Sequence, residues 1–120
     1  MKQIRAFAIA TLILAAFGVV FTPLAMDSGY SWLRNSISET GGQDVTNAWL
    51  GRSTLFLSGT GVLLVTVLKG RIWNRTATIA MALFGSMWCL TAFFSTKSWE
   101  QGVQLNEAES MTHAVLASAM

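Results

Sequence analysis

The chain has 120 residues, of which 52% are hydrophobic and 12% charged, with a net charge of +2. Soluble domains carry about 25% charged residues, so this composition leaves too little polar surface for a body surrounded by water, and the small positive balance forms no nucleic-acid-binding stripe. One Cys (Cys89) and one His (His113), far apart, exclude an intrachain disulfide and the usual zinc spacings.

The first apolar run, Ile4 to Ala25, holds no charge beyond Arg5 at its very start, and Lys2 precedes it. A helix needs about 20 residues to cross ~30 Å of hydrocarbon, and this run suffices. A signal peptide shares the basic start, but its apolar stretch is ~7–15 residues long, and Pro23-Leu-Ala25 is a poor small-x-small cleavage site. An uncleaved helix is therefore the better reading. Pro23 stands near the end of the run, where a helix can bend or stop without stranding much backbone.

A polar stretch follows, from Met26 to Thr46. Gly41-Gly42 breaks any regular element. Ser36-Ile-Ser-Glu39 has capping-box spacing, but Thr-Gly-Gly comes next, so any helix there has one or two turns at most. Thr46 or Asn47 is the better start signal, since Ala-Trp-Leu and a long apolar run come after it. Asp44 reads as a helix-start residue just ahead.

The second run spans about Ala48 to Leu68, with Arg52 one turn in, where it can snorkel to an interface. Gly51, Gly59 and Gly61, with Ser53, Ser58 and Thr60, predict close helix–helix approach. Gly59-x-Gly61 has no strand before it and is not a nucleotide motif. Lys69-Gly-Arg-Ile-Trp-Asn-Arg75 is a basic loop without an acid, and its Asn74-Arg-Thr76 triplet sits in too short a loop to be a glycosylation site. The third run extends from about Thr76 to Thr96. The stretch Lys97 to Ser110 is polar and acidic, with Glu100, Glu107 and Glu109. Ser110 or Thr112 then reads as the cap of a fourth helix, 111–120, which begins but does not complete a span. The expected fold is all-α: a transmembrane helical bundle with three full spans and the start of a fourth, the front part of a longer protein.

Lys/Arg-rich loops stay on the cytoplasmic side. Lys2, Arg5, Lys69, Arg71 and Arg75 place the N-terminus and the 69–75 loop inside, and the polar stretch and the 97–110 loop outside. Trp32, Trp49, Trp73 and Trp99 fall at run ends as interface anchors, and Trp88 is the exception.

Tyr30-Ser-Trp-Leu-Arg34, Ser36-x-Ser-Glu39 followed by glycine, and Asn47-Ala-Trp49 resemble the polytopic membrane proteins of the domain-of-unknown-function family DUF-998. The resemblance implies about six spans, each long enough to cross a bilayer, in a bacterial or archaeal cytoplasmic membrane. It also implies a Phe-Pro-Thr-Asp-like segment after the third span and a His opening the fourth. Phe94-Ser-Thr-Lys97 and His113 stand at those places, with Ser95 for the proline and Lys97 for the acid. The family has no established function, so the resemblance implies architecture and no mechanism.

The candidate polar site is Ser36, Ser38, Glu39 and His113. A carboxylate beside an imidazole can orient it or relay protons, and a nearby Ser would complete a hydrolase-like set. The plainer reading is structural: the serines bond local backbone, Glu39 pairs with Arg34 or caps a helix, and His113 sits near the interface. Asp27, Glu39, Asp44 and His113 have no metal-site spacing, and Met81, Met87 and Met111 are apolar filling. No metal and no cofactor is expected. The expected partners are membrane lipid and packing helices, with no nucleic acid. The favoured function is an outer-face pocket under Tyr30–Trp49 that binds a lipid headgroup or small amphiphile. The alternatives are an intramembrane hydrolase and a non-catalytic assembly protein. A transporter would need an ionisable residue within a span, and none of the three runs carries a central one. On any of these readings Glu39 lies nearer His113 than the Lys69–Arg75 loop.

Overall fold

The computed structural model describes residues 2–99, 102 and 104–120. Glu100, one of the acids read in the last loop, lies outside them. The described residues form four α-helices and no strand: α1 (Lys2–Phe21), α2 (Ala48–Lys69), α3 (Arg75–Thr91) and α4 (Glu107–Ser118). Two 3-10 helices, Thr22–Ala25 and Ile37–Gly41, lie between α1 and α2.

Each boundary has a local cause. The α-helical bonding of α1 stops at Phe21, and the chain tightens into the 3-10 turn that holds Pro23, whose ring nitrogen has no hydrogen to donate. Asn74 caps α3, its side-chain oxygen accepting the Ala77 N–H at 2.7 Å. Asn47 does precede α2, but with φ 61° its side chain turns away and donates to the Ala25 carbonyl at 2.9 Å. It ties the two helices' ends together instead of capping. Asp44 also has positive φ, 54°, and is a turn residue and not a cap. The fourth helix starts four residues earlier than the Met111 start read from the sequence. Its cap is Asn106, not Ser110 or Thr112, because Asn106 Oδ1 takes the Glu109 N–H at 3.2 Å.

α1 and α3 each run antiparallel to α2. A Cβ on Gly61 would meet Leu12, and one on Gly18 would meet Thr54. Thr22 and Thr54 share a buried hydroxyl–hydroxyl bond of 3.2 Å. On the other side of α2, a Cβ on Gly59 would lie 2.6 Å from the Cys89 backbone nitrogen and 2.7 Å from the Gly85 carbonyl. Phe56 and Phe93 meet edge to face at 5.8 Å, one end further on. So α2 is the middle helix, and glycine lets the neighbours' backbones come within contact distance, as small residues do between helices in lipid.

Two helical segments, Lys2–Ala25 and Ala48–Lys69, are long and apolar enough to cross a membrane by length and composition. The third run yields 17 α-helical residues. At ~1.5 Å per residue that is about 25 Å, and residues 92–96 continue as turn and extended chain. Few apolar side chains are covered. α1 buries only Ala8 and Ala15, while Phe7, Ile9, Ile13, Leu14, Phe17 and Val20 are all at least half exposed.

Gly59→Leu drives a side chain into the α3 backbone and is expected to cost about 1–3 kcal/mol or to prevent folding. Thermal unfolding in detergent measures it. Ser86→Leu, on an exposed face of α3, is the control and should stay within ~0.5 kcal/mol of the parent.

Candidate functional site

The polar stretch folds onto the start of α2. Thr40 is completely buried, and a Cβ on Gly51 would lie 2.3 Å from its hydroxyl and 2.5 Å from the Gly41 nitrogen. Gly51 is thus the seat of the Ile37–Gly41 turn. Arg52, the next residue, reaches up and donates its Nε–H to the Gly41 carbonyl at 3.1 Å. Its remaining guanidinium donors have no hydrogen-bond partner among the described residues.

Ser36, Ser38 and Glu39 form one local cluster. The Glu39 carboxylate accepts the Ser36 N–H at 2.5 Å and the Ser36 hydroxyl at 3.0 Å, and Ser36 Oγ lies 3.0 Å from Ser38 Oγ. This is the Glu39 arm of the capping box, closed on a short 3-10 helix. His113 is elsewhere. It is buried, 5% exposed, with Nδ1 2.6 Å from the Phe94 carbonyl. A carbonyl only accepts, so Nδ1 carries the hydrogen, and in the neutral ring Nε2 is the acceptor. No hydrogen bond among the described residues joins His113 to Ser36, Ser38 or Glu39. A general base must come within about 2.6–3.2 Å of the proton it takes, and the one hydrogen bond of the imidazole is to the Phe94 carbonyl among the described residues.

What joins the polar stretch to the His113 segment is Gln43, which the sequence reading passed over. Its side chain is buried and doubly bonded to the backbone of Asn106: Nε2 donates to the Asn106 carbonyl at 2.9 Å, and Oε1 accepts the Asn106 N–H at 2.6 Å. Nε2 also reaches the Ser95 carbonyl at 3.4 Å, and the Gln43 N–H donates to Thr96 O at 3.1 Å. The Glu109 carboxylate then accepts the Ser95 N–H at 2.7 Å. Gln43, Ser95, Asn106 and Glu109 therefore lock the loop after α3 to the start of α4 and to the polar stretch. Tyr30 adds an edge-to-face contact with Trp99 at 5.2 Å. One residue type offered a signal: Asn106-x-x-Glu109 has capping spacing. Gln43 offered none, because a single glutamine in a polar loop looks solvated.

The polar stretch, its Glu39 and His113 thus share one end of the bundle. The antiparallel pairing puts the Lys69–Arg75 turn at the other. Trp32 and Trp49 are more than half exposed, and Trp99 is half-buried against Tyr30. Trp73 is half-buried in the opposite turn. Two buried polar atoms, Ser95 Oγ and Trp99 Nε1, have no hydrogen-bond partner among the described residues. Among the described residues no group of acids, His and Cys is placed to hold a metal ion.

Beside this polar cap, an open groove of 660 Å³ runs between the start of α2 and the end of α3. Trp49, Arg52 and Ser53 border it at the capped end, and Phe56, Leu57, Ala92 and Phe93 line its body. Comparison with family models, curated proteins and solved structures finds no match to this chain.

Gln43→Leu removes the acceptor of the Asn106 N–H, while the Asn106 carbonyl keeps the Ser110 N–H at 3.1 Å; a lost hydrogen bond of this kind is worth about 0.5–1.5 kcal/mol. The Asn106 amide should exchange its hydrogen up to about tenfold faster, the factor for ~1.4 kcal/mol, and unaltered exchange would show that the clasp carries no load. A second expectation concerns pH. Burial, and next the Glu39 carboxylate, raise the Tyr30 phenol above its usual 10.0. The fold favours the neutral phenol, so its contribution to stability is complete below the unfolded value of ~10 and is lost as pH rises through the folded one. Tyr30→Phe should flatten the alkaline fall in melting temperature; an identical fall in both proteins would contradict this.

Proposed function

We propose that the chain is a polytopic membrane protein, with α3 and α4 embedded beside α1 and α2, and that the groove between α2 and α3 binds an amphiphile with an acidic head. One observation carries this: the groove combines an apolar body of Phe56, Leu57 and Phe93 with a guanidinium at its mouth that has donors to spare. Arginine presents its donors in a rigid fork suited to carboxylate or phosphate, and the Gly41 carbonyl fixes where that fork points. Trp49 supplies an amphipathic ring at the same level. The nearly uncovered surface of α1 supports the membrane setting, since a helix apolar all round needs an apolar environment. Membership of the DUF-998 family and a cytoplasmic N-terminus belong to the same proposal.

The head-binding residue in this reading is Arg52. Ser36, Ser38 and Glu39 build the turn that orients it, and His113 with Gln43 holds the opposite wall of the cap. A helix-assembly role has its own support in the exposed face of α1, and a partner helix in the groove is the competing occupant.

The test is native mass spectrometry of the purified protein in mild detergent. Arg52→Gln should lower retention of acidic amphiphile about tenfold or more, the scale of a charged hydrogen bond. Arg52→Lys should restore only part. Equal retention in all three proteins, or a groove filled by a second copy crosslinked through Phe56 and Phe93 positions, would rule the proposal out.

A further inference from the structure

The ends of the bundle differ in charge as well as in shape. Among the described residues the acids, Asp27, Glu39, Asp44, Glu107 and Glu109, all fall in or next to the segments of the polar cap. Five of the eight basic residues, Lys2, Arg5, Lys69, Arg71 and Arg75, fall at the other end with no acid among them. The helix register brings them together. Leu12 packs at Gly61 and Gly18 at Thr54, so continuing the antiparallel pairing sets Arg5 level with the last turn of α2. Thr78 donates its hydroxyl to the Gly70 carbonyl at 3.3 Å, which folds the start of α3 against the same turn.

All five cations are exposed, and none of their side chains has a hydrogen bond or ion pair with another described residue. Like charges gathered without a counterion repel one another, and an external anion would relieve this. Beside them lies a second open groove, of 520 Å³, lined by Ile72, Trp73, Asn74, Ala77 and Met81. Ile72 is 73% exposed. The groove is apolar below and polar at its rim, next to Arg71 and Arg75.

We infer that this end is a binding site for an anionic phospholipid, with the phosphate held by Lys69, Arg71 and Arg75 and one acyl chain laid in the Ile72–Met81 groove. Lys2 and Arg5 extend the same field across the start of α1. The site shares the membrane setting of the preceding proposal but none of its residues. Charge complementarity selects the lipid over an uncharged partner helix, because a helix would leave the five cations uncompensated. Near a membrane surface each Lys or Arg contributes about 1 kcal/mol toward anionic lipid.

The purified protein in detergent is equilibrated with equal amounts of phosphatidylglycerol and phosphatidylcholine, and bound lipid is read by native mass spectrometry. The parent should retain phosphatidylglycerol in preference. Arg71→Gln with Arg75→Gln should cut that preference about 25-fold, fivefold per charge. Ile72→Asn with Met81→Asn should lower retention of phosphatidylglycerol while the charges stay. Arg52→Gln should leave the preference intact, which separates failure of this site from failure of the α2–α3 groove. Should the double arginine variant not fold, salt decides on the parent alone. Going from about 0.1 M to about 1 M shortens the screening length from ~10 Å to ~3 Å and should abolish the preference. Equal retention of the two lipids by the parent, or a preference indifferent to both salt and substitution, overturns the assignment.

Discussion

Three glycines on one helix decide how everything else is placed. Gly51 seats the Ile37–Gly41 turn, Gly59 admits the α3 backbone, and Gly61 admits Leu12 of α1. A glycine inside a helix costs about 1 kcal/mol relative to alanine, so three in α2 lower its local propensity. The gain is contact on three sides at backbone distance, which a chain with few buried large side chains could not obtain from a conventional core. The largest side chains of α1 point away from the protein, and the buried set consists mostly of Gly, Ala and Thr. That pattern suits a solvent as apolar as the side chains, where association depends on close packing and interhelical hydrogen bonds. The Thr22–Thr54 bond between α1 and α2 is of that kind.

The polar cap depends on the same helix. Once Gly51 fixes the 37–41 turn, Arg52 can bond Gly41, and Gln43 is carried to the loop after α3. There it meets a segment that is already held by Glu109 at Ser95 and by His113 at Phe94. The charged and amide groups of the cap mostly hold backbone in place. The carboxylates of Glu39 and Glu109 each accept backbone N–H groups, and the amide of Gln43 replaces a strand-like pairing with Asn106. Arg52, held by one bond to Gly41, keeps donors to spare and lines the apolar groove.

Much of the fold was legible because apolar run length, glycine and capping residues act locally. The ends of α1 and α2, the one-turn Ser36–Glu39 element and the small-residue interfaces follow from such signals. The cap of α4 was misplaced because Ser110 and Thr112 compete with Asn106 for the same role, and only the bond to Glu109 N–H settles it. The third helix ends sooner than its hydropathy suggests, since Ala92, Phe93 and Phe94 remain apolar while the backbone turns. The site was the least legible part. Ser36, Ser38, Glu39 and His113 are the residue types of a reactive set, yet they satisfy separate local bonds. Gln43 and Arg52 matter through partners 52 to 63 and 11 residues away, respectively, which no local pattern encodes.

We propose that α2 sets an antiparallel bundle whose polar cap and basic turn stand on opposite sides of a membrane. Single cysteines at Leu33, Glu107 and Ile72, all exposed, in a Cys89→Ser background, can be probed with an impermeant thiol reagent applied to sealed vesicles from one side at a time. Leu33→Cys and Glu107→Cys should react from the same side and Ile72→Cys only from the other. Labelling of Leu33→Cys and Ile72→Cys from one side would contradict it.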